Sequence, residues 1–460
     1  MGRERRRVVM TAGGGSSGPR ESPIAATFAG DPGRAYLDDN GETWTVGRLL
    51  ALAAGVASAM ASEPADTIAV RSHSAAFVIA AILGAWKTRR APLLLDPSSR
   101  VERVEPGGPG RRAAVLVPSD EQDEGTALAV REERSAPIDP EFPAGETTEV
   151  AFLTSGSTGE PKRTLKRGYQ LAMEFEAEPG WLHSPRPCNV LCLVPPYHIL
   201  GYIYGLYLPA ATGGRTCFMR GGTPQAWVER IRARPPDLVV GVPSHYRLLN
   251  GILREPLPPS TFLSSGAPLP PAVGERFLSL AGRRIVQVYG STETGGIATR
   301  DREGPWTPLP GLEWRVERGD GRLAIRSPWQ ERPASWHRTD DLAEDARGGF
   351  LLHGRADSIV KVGGRRFSSG EIVKAALSHP AVDEAYAVTY GRYGEPAVAL
   401  FVTVVSGVEA TTSGIRGHLA ERLSAFKVPR TIQILERLPT KGSGKVDAEA
   451  LRDLVSTPGA

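Results

Sequence analysis

The sequence predicts an α/β fold: a large N-terminal domain of stacked, mostly parallel sheets with helices, followed by a small α+β C-terminal domain. Three observations carry this expectation. Short, near-continuous apolar runs alternate with helical periodicity through the first two thirds of the chain. Those runs end in Gly, Ser or Pro clusters. Beyond Gly354 the texture changes to short alternating strands and two helices. Apolar runs without alternation belong to strands covered on both faces, as in parallel sheets.

The elements follow in order. Residues 1–22 hold Arg3, Arg5, Arg6, Arg7 and Arg20 against Glu4 and Glu21, with a Gly/Ser lead-in over 13–19, and are expected to form a disordered basic tail. The tail lacks the apolar stretch of a signal peptide. Leu49, Leu50, Leu52, Val56 and Met60 fall at helical spacing over 43–62, and 75–86 is a second, more uniformly apolar helix. The polar stretch 100–145 reads as loop. Strands are expected at 150–153, 190–194, 238–240, 261–263 and 285–288. In parallel α/β sheets ligands sit beyond the carboxyl ends of the strands, so the clusters there are expected to converge on one crevice. Helices near 371–378 and 415–424 belong to the small domain, and the boundary is placed at 355–357, giving domains 23–356 and 357–460.

Composition excludes several classes. Lys+Arg 55 against Asp+Glu 51 gives +4, of which the tail supplies +3, so the body is near neutral and a nucleic-acid surface is not expected. Three cysteines without CxxC spacing suggest neither a disulfide framework nor a zinc site. No run of 18 apolar residues is present, so no membrane span is expected, and the reading is cytoplasmic. Only eight of the 55 basic residues are lysines, and Lys162, Lys361, Lys441 and Lys445 fall inside the motifs below, with Lys166 just after one.

Four clusters carry chemistry. In Thr154-Ser155-Gly156-Ser157-Thr158-Gly159-Glu160-Pro161-Lys162, backbone amides, hydroxyls and one ammonium follow a strand, which suits a polyphosphate. The spacing is neither that of a Walker A loop nor that of a nucleophile elbow. In Tyr289-Gly290-Ser291-Thr292-Glu293, an aromatic ring suits a base, a hydroxyl a phosphate, and a carboxylate Mg²⁺. Asp340 and Asp341, followed by the run from Gly354 to Arg366, offer a carboxylate for a ribose diol. The segment 438–445 ends in Lys445 on a Gly/Ser loop, a mobile cation. Each cluster alone is also compatible with an ordinary turn.

Together, and in this order, they resemble the adenylate-forming superfamily of acyl- and aryl-CoA synthetases, nonribosomal-peptide adenylation domains and luciferases, over about 22–452. Segments 196–201, 242–246 and 264–270 agree. The resemblance implies that a carboxylate attacks the α-phosphorus of MgATP, giving an acyl-adenylate and pyrophosphate. A thiol of CoA or of carrier-protein pantetheine then displaces AMP. It further implies that Thr154, Ser155, Gly156, Ser157, Thr158, Gly159 and Lys162 wrap the β- and γ-phosphates. Tyr289 with Gly290, and Ser265, Gly266 and Ala267, hold adenine. Thr292 contacts the α-phosphate and Glu293 the metal. Asp341 and Arg355 hold the ribose. Asp357 is the hinge of a mobile small domain, Gly363 and Gly364 line the pantetheine channel, and Lys445 bridges acyl carboxylate and α-phosphate. His198 gates or positions the acid, in a pocket lined by Tyr197, His198, Gly201, Ser244, Tyr246, Gly295 and Gly296.

Gly295 and Gly296 leave room there, and Tyr and His suit a flat ring, so an aromatic or conjugated acid is expected. The sequence departs from the family pattern at Asp340, at Lys441 and over 163–168; the last departure, with the abbreviated 100–145 segment, resembles compact ligases of aryl and polyene biosynthesis. Transfer to an acyl-carrier protein, activation of nitrite for aryl-amine diazotisation, and a non-catalytic nucleotide sensor remain open alternatives.

Fixed donors, Mg²⁺ and a delivered ammonium stabilise charge that builds on oxygen during in-line displacement at phosphorus. Lys445→Ala is therefore expected to slow adenylation about 10²–10³-fold while sparing thioester formation from preformed adenylate. Equal losses in both half-reactions contradict this. Asp357→Pro, which fixes φ at the hinge, is expected to spare the first step and impair the second.

Overall fold

The computed structural model describes residues 23–460 apart from 62, 64, 66, 98–112, 119–126, 131–148, 156–160, 178–186, 220, 357–358, 363–364, 393–394, 406–407, 440–445 and 457–460. The chain divides into two compact units, residues 1–314 with 325–337, and residues 315–324 with 338–460. The division thus falls earlier than the boundary expected at 355–357, and the smaller unit also takes in 315–324.

The larger unit holds two sheets. In the nine-stranded one, Val190–Cys192, Leu238–Gly241, Thr261–Ser264 and Ile285–Ser291 are parallel neighbours in that order. Registers such as Val239 opposite both Leu191 and Phe262 put residues of like character on one face. Leu191, Val239 and Phe262 pack under Trp227, Tyr246 and Phe277 of the helices Pro224–Ala233, Pro243–Ile252 and Pro271–Ala281. Val190, Val240 and Leu263 face the opposite way.

The fifth apolar run, Glu149–Ser155, belongs instead to a six-stranded sheet, beside Pro92–Leu95 and the antiparallel strand Pro161–Arg167. Its cluster therefore arises on a different sheet from the other four. Two strands of this sheet, Ala113–Pro118 and Ala127–Val130, lie within the stretch read as loop. A polar surrounding sequence masked their short apolar cores.

The sheets share one core. Every residue of the helix from Ala75 to Trp86 is buried, and it joins Ile68, Leu94 and Phe152 of one sheet to Val190, Val240 and Leu263 of the other. A helix apolar on all sides is what a layer between two sheets requires. Its closest neighbour is Val46–Ala61, where a Cβ on Gly84 would lie 2.7 Å from Val56 Cγ1, so glycine sets the helix spacing.

In the smaller unit, Val382–Arg392, Glu395–Val404 and Thr431–Ile434 form a sheet. The helices Ser369–Leu377 and Thr412–Arg422 bury Ile372, Ile415 and Leu419 in one cluster with Leu400 and Val402. Leu451 of Ala448–Ser456 joins a separate cluster with Val388, Ala399 and Phe401. The observed architecture is the mixed α/β arrangement expected from the sequence.

One half-buried histidine gives the larger unit a pH dependence. His245 Nδ1 accepts the Val242 amide at 3.2 Å, at the start of the helix Pro243–Ile252, and its ring packs 5.2 Å from Trp227. Burial lowers its pKa from 6.5 to about 4. The unfolded chain therefore binds more protons between those values, so stability is complete above pH 6.5 and falls as the pH drops toward 4. The loss amounts to at most about 3 kcal/mol. Urea unfolding across that window is expected to show it in the parent and to show a shallower slope in His245→Asn. Identical slopes contradict the assignment.

Candidate active site

Adjacent parallel strands bring the chain's special turns to one edge of the nine-stranded sheet. Leu238–Gly241 and Thr261–Ser264 end in register opposite Gln287, and Ile285–Ser291 runs on past them, so the turns at 242–245 and 265–268 lie beside its last residues. The Ser265 hydroxyl donates to Val288 O at 2.8 Å and ties two of these turns together. Gly266 has φ +84°, a left-handed turn that leaves Gly266 and Ala267 exposed. Tyr289 is half-buried, its ring 5.6 Å from that of Trp306. Trp306 is in turn covered by Arg300, whose guanidinium lies 4.4 Å from its centroid.

The turn carrying Thr292 and Glu293 is closed from both ends. The Ser291 amide donates to Thr294 Oγ1 at 3.0 Å, and the Thr294 amide donates to Ser291 Oγ at 3.2 Å. A Cβ on Gly290 would strike Gly295 O, so only glycine lets the two strands close there. Both Thr292 and Glu293 remain partly exposed. A hard carboxylate oxygen with access to solvent fits a magnesium ion delivered with ATP.

Behind this turn lies a polar cluster that sequence reasoning missed. Glu174, on the helix Gly168–Ala177, is only 3% exposed, and its Oε1 accepts the Gly296 amide at 2.7 Å. Trp329 Nε1 donates to Gly296 O at 3.1 Å, so both polar groups of Gly296 are held. Lys166 is 1% exposed; burial lowers its pKa, opposed by the carboxylates of Glu174, Glu293 and Glu331. Burial raises the pKa of Glu174, opposed by Lys166 and by the Gly296 amide. The signal that could have found this cluster was the scarcity of lysine, since Lys166 stood just outside a motif.

Two expected pocket features are corrected. Gly295 does not leave open room for a ring: it has φ +71°, and a Cβ there would meet Glu174 Oε2 and Trp329. Tyr246 is fully buried against Phe262 and Phe277 and donates to Leu263 O at 2.5 Å, so it belongs to the core and lines no pocket. Gly201 is buried where a Cβ would strike Pro195 O, so its small size serves backbone approach. Ser244 is exposed in the first turn of its helix.

Tyr197 is buried and His198 half-buried, with rings 4.8 Å apart. His198 precedes the helix Ile199–Tyr202, and its Nε2 lies 3.9 Å from Asp96 Oδ2. Asp96, at the end of the buried strand Pro92–Leu95, was a further residue missed. Thr154 and Ser155 end the strand Glu149–Ser155, opposite Lys162 and Pro161 on the antiparallel partner, and Lys162 is exposed.

In the smaller unit, Asp341 and Arg355 are opposed in a hairpin, and Asp341 is half-buried. Asp340, the departure from the usual glycine, accepts from Arg322 Nη1 at 2.8 Å and from Arg355 Nη2 at 3.3 Å. Gly156, Ser157, Thr158, Gly159, Asp357, Gly363, Gly364 and Lys445 lie outside the described residues.

Gly295→Ala is expected to disturb the Glu293 turn, costing about 2 kcal/mol in stability by strain and steric contact, and lowering kcat/KM for MgATP. Gly213, with φ +72° and open space within 4 Å of where a methyl would project, is the control. Gly213→Ala is expected to cost about 1 kcal/mol by backbone strain alone, with kinetics unchanged. Equal kinetic effects of the two contradict the reading.

The AMP-binding enzyme model matches residues 24–327, and the AMP-binding enzyme C-terminal domain model matches 371–445. A 4-coumarate–CoA ligase of Cereibacter sphaeroides is 30% identical over 315 residues, covering 66% of this chain and 71% of the relative. An acetyl-coenzyme A synthetase of Bacillus subtilis is 24% identical, covering 82% and 74%. Among solved structures, o-succinylbenzoate CoA synthetase from Bacillus subtilis, in complex with its acyl-adenylate, superposes with TM-score 0.78 at 21% identity, covering 96% of this chain and 99% of that one. The matched models span most of the chain, and it belongs to the AMP-binding enzyme family of ATP-dependent, adenylate-forming acid ligases.

Proposed function

We propose that this enzyme activates an aromatic or conjugated carboxylic acid as its acyl-adenylate and transfers the acyl group to the thiol of CoA. The observation that carries the reading is the shared register of three adjacent parallel strands. It gathers Ser265 to Ala267, Tyr289 and the Thr292–Glu293 turn along one sheet edge. The names of relatives support an aryl acid: besides the 4-coumarate–CoA ligase, a benzoate–CoA ligase of Thauera aromatica is 29% identical over 345 residues, covering 65% of each chain.

In the first step a carboxylate oxygen bonds to the α-phosphorus of MgATP and the bond to the pyrophosphate oxygen breaks. Tyr289 and the 265–267 turn hold adenine, Thr292 the α-phosphate, Glu293 the magnesium, and Thr154 to Lys162 the leaving pyrophosphate. Lys445 stabilises the charge on the attacked phosphoryl group. In the second step the thiol sulfur bonds to the acyl carbon, AMP leaves with the bonding electron pair, and the thiol proton passes to solvent. Asp341 and Arg355 hold the ribose, while Asp357 is the hinge and Gly363–Gly364 lines the thiol's approach. His198, beside Asp96, positions the acid.

Pyrophosphate release over a panel of aryl and aliphatic acids, with and without CoA, tests this. Release with an aryl acid, with CoA consumed, is expected. Release without CoA consumption points to a carrier-protein acceptor, and no release with any acid overturns carboxylate activation and favours nitrite or a sensor.

A further inference from the structure

Glu174 Oε2, the Tyr202 hydroxyl and the Tyr207 hydroxyl are among the buried side-chain polar atoms of the larger unit that have no hydrogen-bond partner among the described residues. Burying an unpaired polar group costs about 1–3 kcal/mol. Three such atoms in one neighbourhood therefore need an explanation. They do form one neighbourhood. Burial and the Glu174 carboxyl both raise the pKa of Tyr207, and burial and the Tyr207 hydroxyl both raise that of Tyr202. The Phe175 ring, next to Glu174, packs 6.0 Å from that of Tyr207.

Their supports point to the same place. Glu174 is fixed through Oε1 on Gly296, two residues past the Glu293 turn, and Oε2 lies against the methyl-free face of Gly295. Tyr202 and Tyr207 directly follow the 197–201 segment. Between them the helix widens into a π-helical turn, Ile203–Tyr207, a local distortion common where side chains serve a site. Both chain segments are ones the sequence placed around the acid.

We propose that Glu174, Tyr202 and Tyr207 select an acid carrying a hydroxyl or amino substituent, which satisfies Glu174 Oε2 and a tyrosine hydroxyl. The inference rests on the acid-activation reading and narrows it from aryl acids in general to hydroxy- or amino-substituted ones. A site built to hydrogen-bond a substituent discriminates strongly against an analogue lacking it, because the protein's own polar groups then stay unpaired.

The test compares each hydroxy- and amino-benzoate and -cinnamate with its methyl isostere by ATP–pyrophosphate exchange. At least one polar isomer is expected to exceed its methyl counterpart by about 10²-fold in kcat/KM. Tyr207→Phe and Glu174→Gln are expected to shrink that ratio to within about tenfold, the cost of one ordinary hydrogen bond. Thermal unfolding identifies a variant that fails to fold, and Tyr207→Phe, which keeps the ring packing, then decides. Equal turnover of the methyl and polar acids overturns the inference while leaving acid activation intact. So does a preference that survives in the folded variants. Absence of exchange with any acid, aliphatic ones included, overturns the activity and this inference together.

Discussion

The hydrogen bond from the Gly296 amide to Glu174 Oε1 is the contact on which the candidate site depends. Glycine is required at 295 because its backbone is left-handed and a methyl there would displace the Glu174 carboxyl and Trp329. A carboxyl can remain in that position because Lys166 is buried nearby, and the cluster extends electrostatically to Glu293. The turn bearing Thr292 and Glu293 is thus closed by the Ser291–Thr294 bonds, with the Gly296–Glu174 hydrogen bond behind it.

The layers around it supply rigidity. The helix Ala75–Lys87, buried between two sheets, makes them share one core. Because adjacent strands share register, with Gly241 opposite Ser264 and Ser264 opposite Gln287, the turns that follow inherit their spacing from the sheet itself. The phosphate-binding segment of the family pattern starts on the other sheet, at the Thr154–Lys162 hairpin. Catalysis by preorganised donors needs this kind of support, since misplacement of a donor by even about 1 Å lowers rates sharply.

Much of the fold was legible because strands buried on both faces show as unbroken apolar runs, as at Leu238–Gly241 and Ile285–Ser291. The strands Ala113–Pro118 and Ala127–Val130 escaped because charged, Pro- and Gly-rich sequence surrounds them. Motif order carried the family. The charged cluster was illegible, because nothing local in the sequence says that Glu174 meets Gly296, 122 residues away. The pair Gly295–Gly296 was noticed for its lack of side chains, but the freed space is taken by the protein's own carboxyl and indole. Tyr246 failed for a related reason, since a tyrosine after a strand suits a core as well as a pocket.

The claim that joins fold, family and site is that a carboxylate oxygen of the acid becomes bonded to phosphorus. Turnover of a hydroxybenzoate labelled with heavy oxygen in its carboxylate, followed by mass analysis of the AMP released, reads that bond directly. The account predicts that one labelled oxygen appears in the AMP phosphate for each acyl group transferred. Label absent from AMP, with acyl transfer still complete, contradicts it.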